Sequence, residues 1–128
     1  MSKILLIEPD FLLSKIYKQA LEDYGHTVAC AATAQSAINA ADGFQPDLVI
    51  LELQLVEHSG IEFLYEFRSY VDWQKIPVIV HTQVPEIEFA QSQALLTDEL
   101  GVVGYLYKPE TTLQTLMQVV TQQLKVAA

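Results

Sequence analysis

The chain has 128 residues, a formal net charge of −9 and 51% hydrophobic residues. This length suits a single domain with one core, so we expect residues 1–128 to form one domain, and the composition argues against disorder. The charge, without any Lys/Arg cluster, disfavours nucleic acids and anionic membranes as direct partners, because phosphate binding needs clustered basic side chains. Neither a membrane span nor a signal peptide is recognisable, which predicts a cytoplasmic protein.

The apolar pattern predicts five strands that alternate with five helices. Short continuous apolar runs are typical of parallel strands buried on both faces, and right-handed crossovers place the helices on both faces of one sheet. The expected fold is therefore an α/β, doubly wound, five-stranded parallel sheet. The predicted strands are 3–8, 27–31, 47–52, 76–81 and 102–107, and the predicted helices are about 10–24, 33–42, 60–72, 86–99 and 111–126.

Two residues of the predicted strands are interpreted as structural. Cys30 is the only cysteine, which excludes an internal disulfide and a cysteine metal site, and we expect a buried, inert thiol. His81 precedes Thr82 in the chain, so its side chain should point to the opposite face of the strand and pack in the core.

Polar side chains follow four of the predicted strands. Glu8 ends the first strand and is followed by Asp10, Glu52 ends the third, Thr82 follows the fourth, and Lys108 follows the fifth. Because the carboxyl ends of parallel strands meet at one edge of a sheet, these groups should converge on one crevice. The first and third strands must be neighbours for their acids to meet, which predicts the strand order 2-1-3-4-5.

Five short segments carry a family resemblance: KILLIE at 3–8, PDLVIL at 46–51, SGIEFL at 59–64, IPVIV at 76–80 followed by Thr82, and GYLYKP at 104–109. In this order and spacing the chain resembles the receiver domain of bacterial two-component response regulators over essentially its whole length. The resemblance implies a flavodoxin-like fold, a role in phosphorelay signal transduction rather than enzymatic catalysis, and a cis peptide bond between Lys108 and Pro109.

The resemblance also implies roles for single residues. In that family an aspartate at the end of the third strand accepts a phosphoryl group from a histidine kinase, and Glu52 occupies this phosphoacceptor position. Thr82 and Lys108 occupy the positions that contact the phosphoryl oxygens. Tyr105 occupies the position of an aromatic switch residue, whose rotamer changes together with that of the threonine.

Three departures from the family pattern point away from phosphotransfer. Glu52 replaces the acceptor aspartate, and a reactive group misplaced by ~1 Å can slow in-line attack about a hundredfold. Pro9 replaces the second acid of the Mg²⁺ site, which leaves Glu8 and Glu52 as weak ligands for an ion that demands strict oxygen geometry. Gln83 stands where the family usually has a small residue. We therefore expect no cofactor and weak or absent Mg²⁺ binding, although Asp10, which suits the cap of the first helix, could partly replace the lost ligand.

These departures predict a pseudo-receiver that acts as a protein–protein interaction module. It would bind a protein partner, such as a histidine kinase or a downstream effector, or form a homodimer. The resemblance implies that binding uses the face that receivers commonly use, which consists of the fourth helix, the fifth strand and the fifth helix. Glu52 is either a partial mimic of the phosphorylated state or a plain acid paired with Lys108. In the mimic, Thr82 should lean toward Glu52 and Tyr105 should point inward.

Two other functions remain as alternatives. The first is a working phosphoacceptor receiver that uses Glu52 or Asp10 in a two-component phosphorelay. The second, which the sequence disfavours, is a small-ligand protein of the flavodoxin type. A phosphate loop rich in glycine or hydroxyl groups is not seen after the first strand, where Glu8 and Asp10 would repel a phosphate.

Overall fold

The computed structural model, which describes residues 2–88 and 94–127, contains one parallel sheet with the strand order β2-β1-β3-β4-β5. This order is the predicted one, and it places the carboxyl ends of β1 and β3 side by side. The five strands are β1 (Lys3–Ile7), β2 (Thr27–Ala31), β3 (Leu48–Leu51), β4 (Val78–Thr82) and β5 (Val102–Tyr107).

Five helices of the described residues occupy the places that the sequence predicts. The predicted fourth helix covers residues 89–93, which lie outside the described residues, and its end is a π-helix closed by a bond from Leu100 N to Leu95 O of 3.0 Å. The helices are α1 (Phe11–Asp23), α2 (Ala34–Phe44), α3 (Gly60–Ser69), the π-helix Leu95–Glu99 and the C-terminal helix Leu113–Ala127, with short 3-10 turns at Val71–Trp73 and Lys108–Glu110.

Side-chain caps fix where the helices begin. The Asp10 carboxylate accepts a hydrogen bond from Leu13 N at 3.0 Å and so caps α1. Thr33 and Ser36 form a reciprocal capping box at the start of α2. Each cap satisfies an N–H group that has no partner inside the helix. The cap at Asp10 had been expected from the sequence, and this role bears directly on the site described below.

The two faces of the sheet bury separate apolar clusters. Leu5 and Ile7 of β1 face a cluster that includes α2, α3 and the π-helix. Ile4 and Leu6 face a second cluster that includes α1 and the C-terminal helix. All four side chains are at most 1% exposed. Three helices thus cover one face and two cover the other, which leaves the strand ends open as the place for polar groups.

Cys30 is exposed, so the prediction of a buried thiol is wrong. It lies on β2, an edge strand, and pairs in register with Leu6 on the side of the sheet that α1 covers. The helix does not reach over the end of this edge strand, and a cleft remains there. An apolar neighbourhood in sequence therefore did not guarantee burial at the edge of the sheet.

The amino-terminal edge of the sheet is held by Arg68, at the end of α3. Its guanidinium donates to the carbonyl oxygens of Leu100 at 2.9 Å, Trp73 at 2.5 Å, Ile76 at 2.6 Å and Gly101 at 3.3 Å. We call these five residues the carbonyl clamp. Burial lowers the pKa of Arg68, and no carboxylate forms an ion pair with it in the described part of the chain. The clamp ties α3 to the chain just before β4 and β5.

Trp73 packs beside this clamp. Its ring stacks on Phe67 with 5.0 Å between centroids, and it also contacts Tyr70 at 4.6 Å. The residue is 7% exposed, so its ring has a packing role in the core. Aromatic pairs of this kind add about 0.5–1.5 kcal/mol beyond their buried area.

Candidate functional site

Four polar residues with buried side chains meet at the carboxyl edge of the sheet. Glu8 follows β1, Glu52 follows β3, Thr82 ends β4 and Lys108 follows β5. Glu8 and Glu52 are 4% and 3% exposed, Thr82 is 0% exposed, and the Lys108 side chain is 6% exposed. We call these four residues the strand-end cluster. The sequence predicted that they converge, and the parallel sheet brings them together.

Lys108 joins the two carboxylates of the cluster. Its Nζ lies 2.5 Å from Glu8 Oε1 and 2.7 Å from Glu52 Oε1, so the predicted Glu52–Lys108 pair is confirmed. Burial alone would lower the pKa of Lys108, but the hydrogen bonds to Glu52 and Glu8 outweigh it and raise the pKa. Lys108 therefore stays charged, and the cluster combines one ammonium with two carboxylates.

The Glu52 carboxylate accepts four hydrogen bonds. Lys108 Nζ at 2.7 Å and Gln83 N at 3.3 Å donate to Oε1. The Thr82 hydroxyl and Gln54 N, the latter at 3.1 Å, donate to Oε2. Burial would raise the pKa of Glu52, but the hydrogen bonds from Lys108, Thr82 and Gln54 together lower it. Glu52 is thus an anion whose oxygens are already occupied by the protein's own donors.

Thr82 links Glu52 to Tyr105. The Thr82 hydroxyl donates to Glu52 and accepts a hydrogen bond from Val84 N at 3.2 Å. The Tyr105 hydroxyl donates to Val84 O at 2.8 Å, and its half-buried ring packs against the core. Burial raises the pKa of Tyr105 to about 12. Thr82 leans toward Glu52 and Tyr105 points inward, and both are expected if Glu52 mimics the phosphorylated state.

The cluster does not fit a Mg²⁺ ion. Glu8 uses Oε1 for Lys108 and accepts Asp10 N at 3.1 Å on Oε2, while the Asp10 side chain is exposed at the cap of α1. The Asp10 carboxylate is thus engaged at the cap of α1, and the contact of Asp10 with Glu8 is made by its backbone N–H. Pro9 offers no ligand atom. Within residues 2–88 and 94–127, no group of three or more His, Cys, Asp or Glu side chains could hold a metal.

His81 faces away from the strand-end cluster and packs against Tyr17, with ring centroids 5.0 Å apart in an edge-to-face arrangement. The residue is 4% exposed, and burial, aided by the charge of Lys108, lowers its pKa to about 4. The imidazole is therefore neutral near pH 7, as a packed core histidine should be.

The peptide bond between Lys108 and Pro109 is trans, so the cis bond implied by the family resemblance is wrong. Pro109 lies within the 3-10 turn Lys108–Glu110, and trans is the lower-energy form of an X–Pro bond by about 0.5–1 kcal/mol.

Sequence reasoning missed the backbone contributors to the site. Gln83 was noted for the bulk of its side chain, whereas it is its backbone N–H that contacts Glu52. Gln54 N and the two backbone groups of Val84 were not anticipated. Any non-proline residue offers an N–H group, so no residue type at these positions could have signalled the contacts.

Residues 4–121 match the family model of the response regulator receiver domain. The chain belongs to this family. Receiver domains interact with kinases and effectors in two-component systems and are signalling modules rather than classical enzymes. In the described residues, no helix of this receiver domain has the length and apolar character needed to cross a membrane.

Two of the curated relatives are named as transcriptional regulatory proteins. The chain is 33% identical over 109 residues to the KDP operon transcriptional regulatory protein KdpE of Escherichia coli, covering 85% of this chain and 45% of KdpE. It is 28% identical over 107 residues to the alginate biosynthesis transcriptional regulatory protein AlgB of Pseudomonas aeruginosa, covering 84% of this chain and 22% of AlgB. The chain thus spans less than half the length of these relatives.

Solved receiver domains share the fold. The CheY-like response regulator receiver domain protein of Methanospirillum hungatei superposes with a TM-score of 0.85 at 21% identity, over 99% of this chain and 96% of that one. The chemotaxis response regulator CheY4 of Vibrio cholerae gives a TM-score of 0.83 at 23% identity, over 95% and 98% of the two chains. At these identities the likeness supports the fold alone.

Proposed function

We propose that this receiver domain is a pseudo-receiver, a protein–protein interaction module whose Glu52 takes the place of a phosphorylated aspartate. The observation that carries the proposal is the set of four hydrogen bonds that Glu52 accepts. Thr82 and Lys108 occupy the positions that contact phosphoryl oxygens in the family, and here both bind the Glu52 carboxylate. Residues 1–128 would then act as a single receiver-like domain in the cytoplasm.

The charge of Glu52 determines how closely this residue can imitate a phosphorylated aspartate. A carboxylate carries one negative charge, against about −1.5 to −2 for a phosphorylated side chain. The longer glutamate side chain offsets this in part, because it reaches Lys108 and Thr82 directly. A bias of about 1.4 kcal/mol between two states is enough to shift their ratio tenfold.

The contacts of Tyr105 suggest how the state of Glu52 reaches a partner. Glu52, Thr82, Val84 and Tyr105 form a continuous chain of hydrogen bonds from the strand-end cluster to β5. Tyr105 also lines a cavity of about 290 Å³ between β5 and the π-helix, beside Val103, which is 42% exposed. This surface, with the C-terminal helix, is the proposed docking face for a kinase, an effector or a second copy of the chain.

Phosphorylation with acetyl phosphate and Mg²⁺, followed by intact-mass measurement, tests the proposal. We expect no added phosphoryl group on the natural chain. The triple variant Pro9→Asp, Glu52→Asp, Gln83→Ala restores the family pattern and should be labelled. A labelled natural chain would overturn the pseudo-receiver and support the phosphoacceptor that uses Glu52 or Asp10.

A second measurement tests the mimic itself. In amide NMR spectra, Glu52→Gln should shift the signals of Val84 and Tyr105, because the charge that orders Thr82 is lost while the shape is kept. Glu66→Gln, an exposed acid of α3, is the matched control and should leave these signals unchanged. If Glu52→Gln perturbs only its nearest neighbours, Glu52 is a structural residue and the chain is a plain docking domain.

A further inference from the structure

A second surface, remote from Tyr105, lies between α1 and the end of β2. A cleft of about 420 Å³ opens there and is lined by the apolar side chains of Pro9, Phe11 and Ala31, together with Lys15, Lys18 and Cys30. Glu8 also borders the cleft, but it is buried and bound to Lys108. The cleft is thus mostly apolar inside and carries two lysines on its α1 side.

The first turns of α1 expose more apolar surface than the fold requires. Phe11 is 72% exposed, Leu12 is 70% exposed and Ile16 is 51% exposed, whereas Leu21 is the one fully buried residue of this helix. Of these three, Phe11 lines the cleft, whereas Leu12 and Ile16 lie elsewhere on α1. A largely exposed aromatic ring beside an apolar cleft is the kind of surface that marks interaction sites.

The two lysines of this cleft carry a charge opposite to that of the chain. The chain has 7 Lys and Arg residues against 16 Asp and Glu residues. In residues 2–88 and 94–127, neither Lys15 nor Lys18 forms an ion pair, and Lys15 Nζ lies 5.5 Å from the centroid of the Phe11 ring. The adjacent acid, Asp10, is engaged as the cap of α1. Two lysines without ion pairs beside an apolar cleft favour a ligand that combines negative charge with an apolar anchor.

We propose that this α1 cleft binds an acidic segment of a partner protein, which inserts an apolar side chain between Phe11 and Ala31 and places carboxylates beside Lys15 and Lys18. An anionic membrane fits less well, because two lysines give little attraction against a net charge of −9. A nucleic acid would need a longer row of basic side chains.

The α1 cleft is independent of the docking face proposed above. Glu86 and Glu88 lie close enough to Tyr105 for their charges to help raise its pKa, so the face around Tyr105 is acidic. The two surfaces would therefore select partners of opposite charge. The α1 cleft does not depend on Glu52 acting as a phosphoryl mimic, and either proposal can fail without the other.

NMR titration of the natural chain tests the inference with a short synthetic peptide that alternates Glu with Leu and Phe. We expect saturable shifts at the amides of α1 and of Ala31, with β5 unaffected. One control peptide replaces each Glu with Lys, and another replaces each Leu and Phe with Ser. Both should bind at least tenfold more weakly, since the cleft offers both charge and apolar contact.

Matched variants locate the interaction. Lys15→Glu with Lys18→Glu should weaken binding of the acidic peptide at least tenfold, and Phe11→Ser should weaken it severalfold. Lys75→Glu with Lys125→Glu makes the same change in net charge away from the cleft and should leave affinity nearly unchanged. Thermal unfolding of each variant verifies that it is folded.

Three results would overturn the inference. The first is that the basic peptide binds as tightly as the acidic peptide. The second is that the peptide shifts amide signals outside α1 and the end of β2. The third is that Lys15→Glu with Lys18→Glu and Lys75→Glu with Lys125→Glu lose the same affinity. Self-association of the natural chain that Phe11→Ser abolishes would assign the cleft to a second copy instead. Binding to phosphatidylserine vesicles that Lys15→Glu with Lys18→Glu abolishes would assign it to a membrane.

Discussion

Lys108 and Arg68 both place a cation inside the fold, at opposite edges of the same sheet. Lys108, at the carboxyl edge, binds two carboxylates, whereas Arg68, at the amino edge, binds four backbone carbonyls. The pKa of Lys108 is raised by its partners, and the pKa of Arg68 is lowered by burial. A cation removed from water is thus stabilised in two ways, by carboxylate side chains at Lys108 and by backbone carbonyl groups at Arg68.

The difference indicates which edge of the sheet can respond to a change in charge. The partners of Lys108 are side chains, so a single substitution, or the protonation of one carboxylate, changes their charge. The partners of Arg68 are carbonyl groups that every residue supplies and that do not titrate. We infer that the strand-end cluster is the adjustable part of the molecule and that the carbonyl clamp is fixed scaffold. Four predictions test this contrast.

Loss of the clamp should have the largest effect. Arg68→Met keeps most of the aliphatic packing but removes the guanidinium donor of four carbonyl oxygens, of which Trp73 O keeps a hydrogen bond from Ile76 N at 3.4 Å. Buried unsatisfied groups cost about 1–3 kcal/mol each. Because some will find water, we expect a loss of about 4 kcal/mol in the free energy of unfolding. Urea unfolding measures it. Arg68→Lys, which keeps the charge, should lose less, and a loss in Arg68→Met of under about 1 kcal/mol would refute the scaffold role.

Acid should act at the carboxyl edge of the sheet, where His81 and Glu52 are buried, and not on the carbonyl clamp. The pKa of His81 is lowered from 6.5 to about 4 in the folded chain, so between these values the unfolded chain binds more protons. Stability should therefore fall as the pH drops from about 6.5 to about 4, by about 3 kcal/mol from this residue. The lowered pKa of Glu52 adds a further loss below its ordinary value of 4.5.

Urea unfolding across this pH range, with His81→Leu as the control, measures the contribution of His81. The variant should lose most of the pH dependence above about pH 4.5, because its side chain cannot be protonated. An unchanged slope in His81→Leu would show that another group is responsible.

Neutralising Glu52 should have a smaller effect on stability than loss of the clamp. In Glu52→Gln, Lys108 keeps its pair with Glu8, and the new amide can still accept from Thr82 or Gln83. Losing one charge-assisted hydrogen bond costs about 1.5–3 kcal/mol, which partial compensation reduces to about 1.5 kcal/mol. Thermal unfolding gives the value. A loss as large as that of Arg68→Met would remove the distinction between an adjustable edge and a fixed edge.

Gly101→Ala should act in part through the carbonyl clamp. Gly101 has φ +67°, and an added Cβ would lie 2.5 Å from Arg68 Nη2. We expect a loss of about 1 kcal/mol from the left-handed backbone, plus the displacement of Arg68. In the Arg68→Met background the second contribution should disappear, so the two changes should be less than additive in a double-mutant cycle. Strict additivity would mean that Gly101 does not contact the clamp.

The fold could be predicted well from the sequence, because the apolar runs of the strands and the apolar spacing of the helices are local patterns that recur along the chain. The bounds of β2 and β5 agree with the predicted strands at both ends, and the strand order followed from the need to join Glu8 with Glu52. The π-helix Leu95–Glu99 could not be predicted in this way, since apolar spacing does not distinguish a bond to the fifth preceding residue from one to the fourth.

The site was predictable where it depends on side-chain charge. Glu8, Glu52, Thr82 and Lys108 follow apolar strands, and opposite charges at one edge of a sheet must pair when buried. The carbonyl clamp could not be predicted from the sequence in this way, because Arg68 lies at a polar helix end and its partners are backbone atoms. Sequence thus locates an adjustable site more readily than a fixed one.

Trp73 is an intrinsic fluorescence probe at a defined position in this fold. It is the only tryptophan in the chain, it stacks on Phe67, and its carbonyl oxygen accepts from Arg68. Its emission should follow the opening of the carbonyl clamp and remain silent to events at Glu52 or in the α1 cleft. Tryptophan fluorescence would therefore record unfolding cleanly, whereas a probe of docking would have to be introduced at another position.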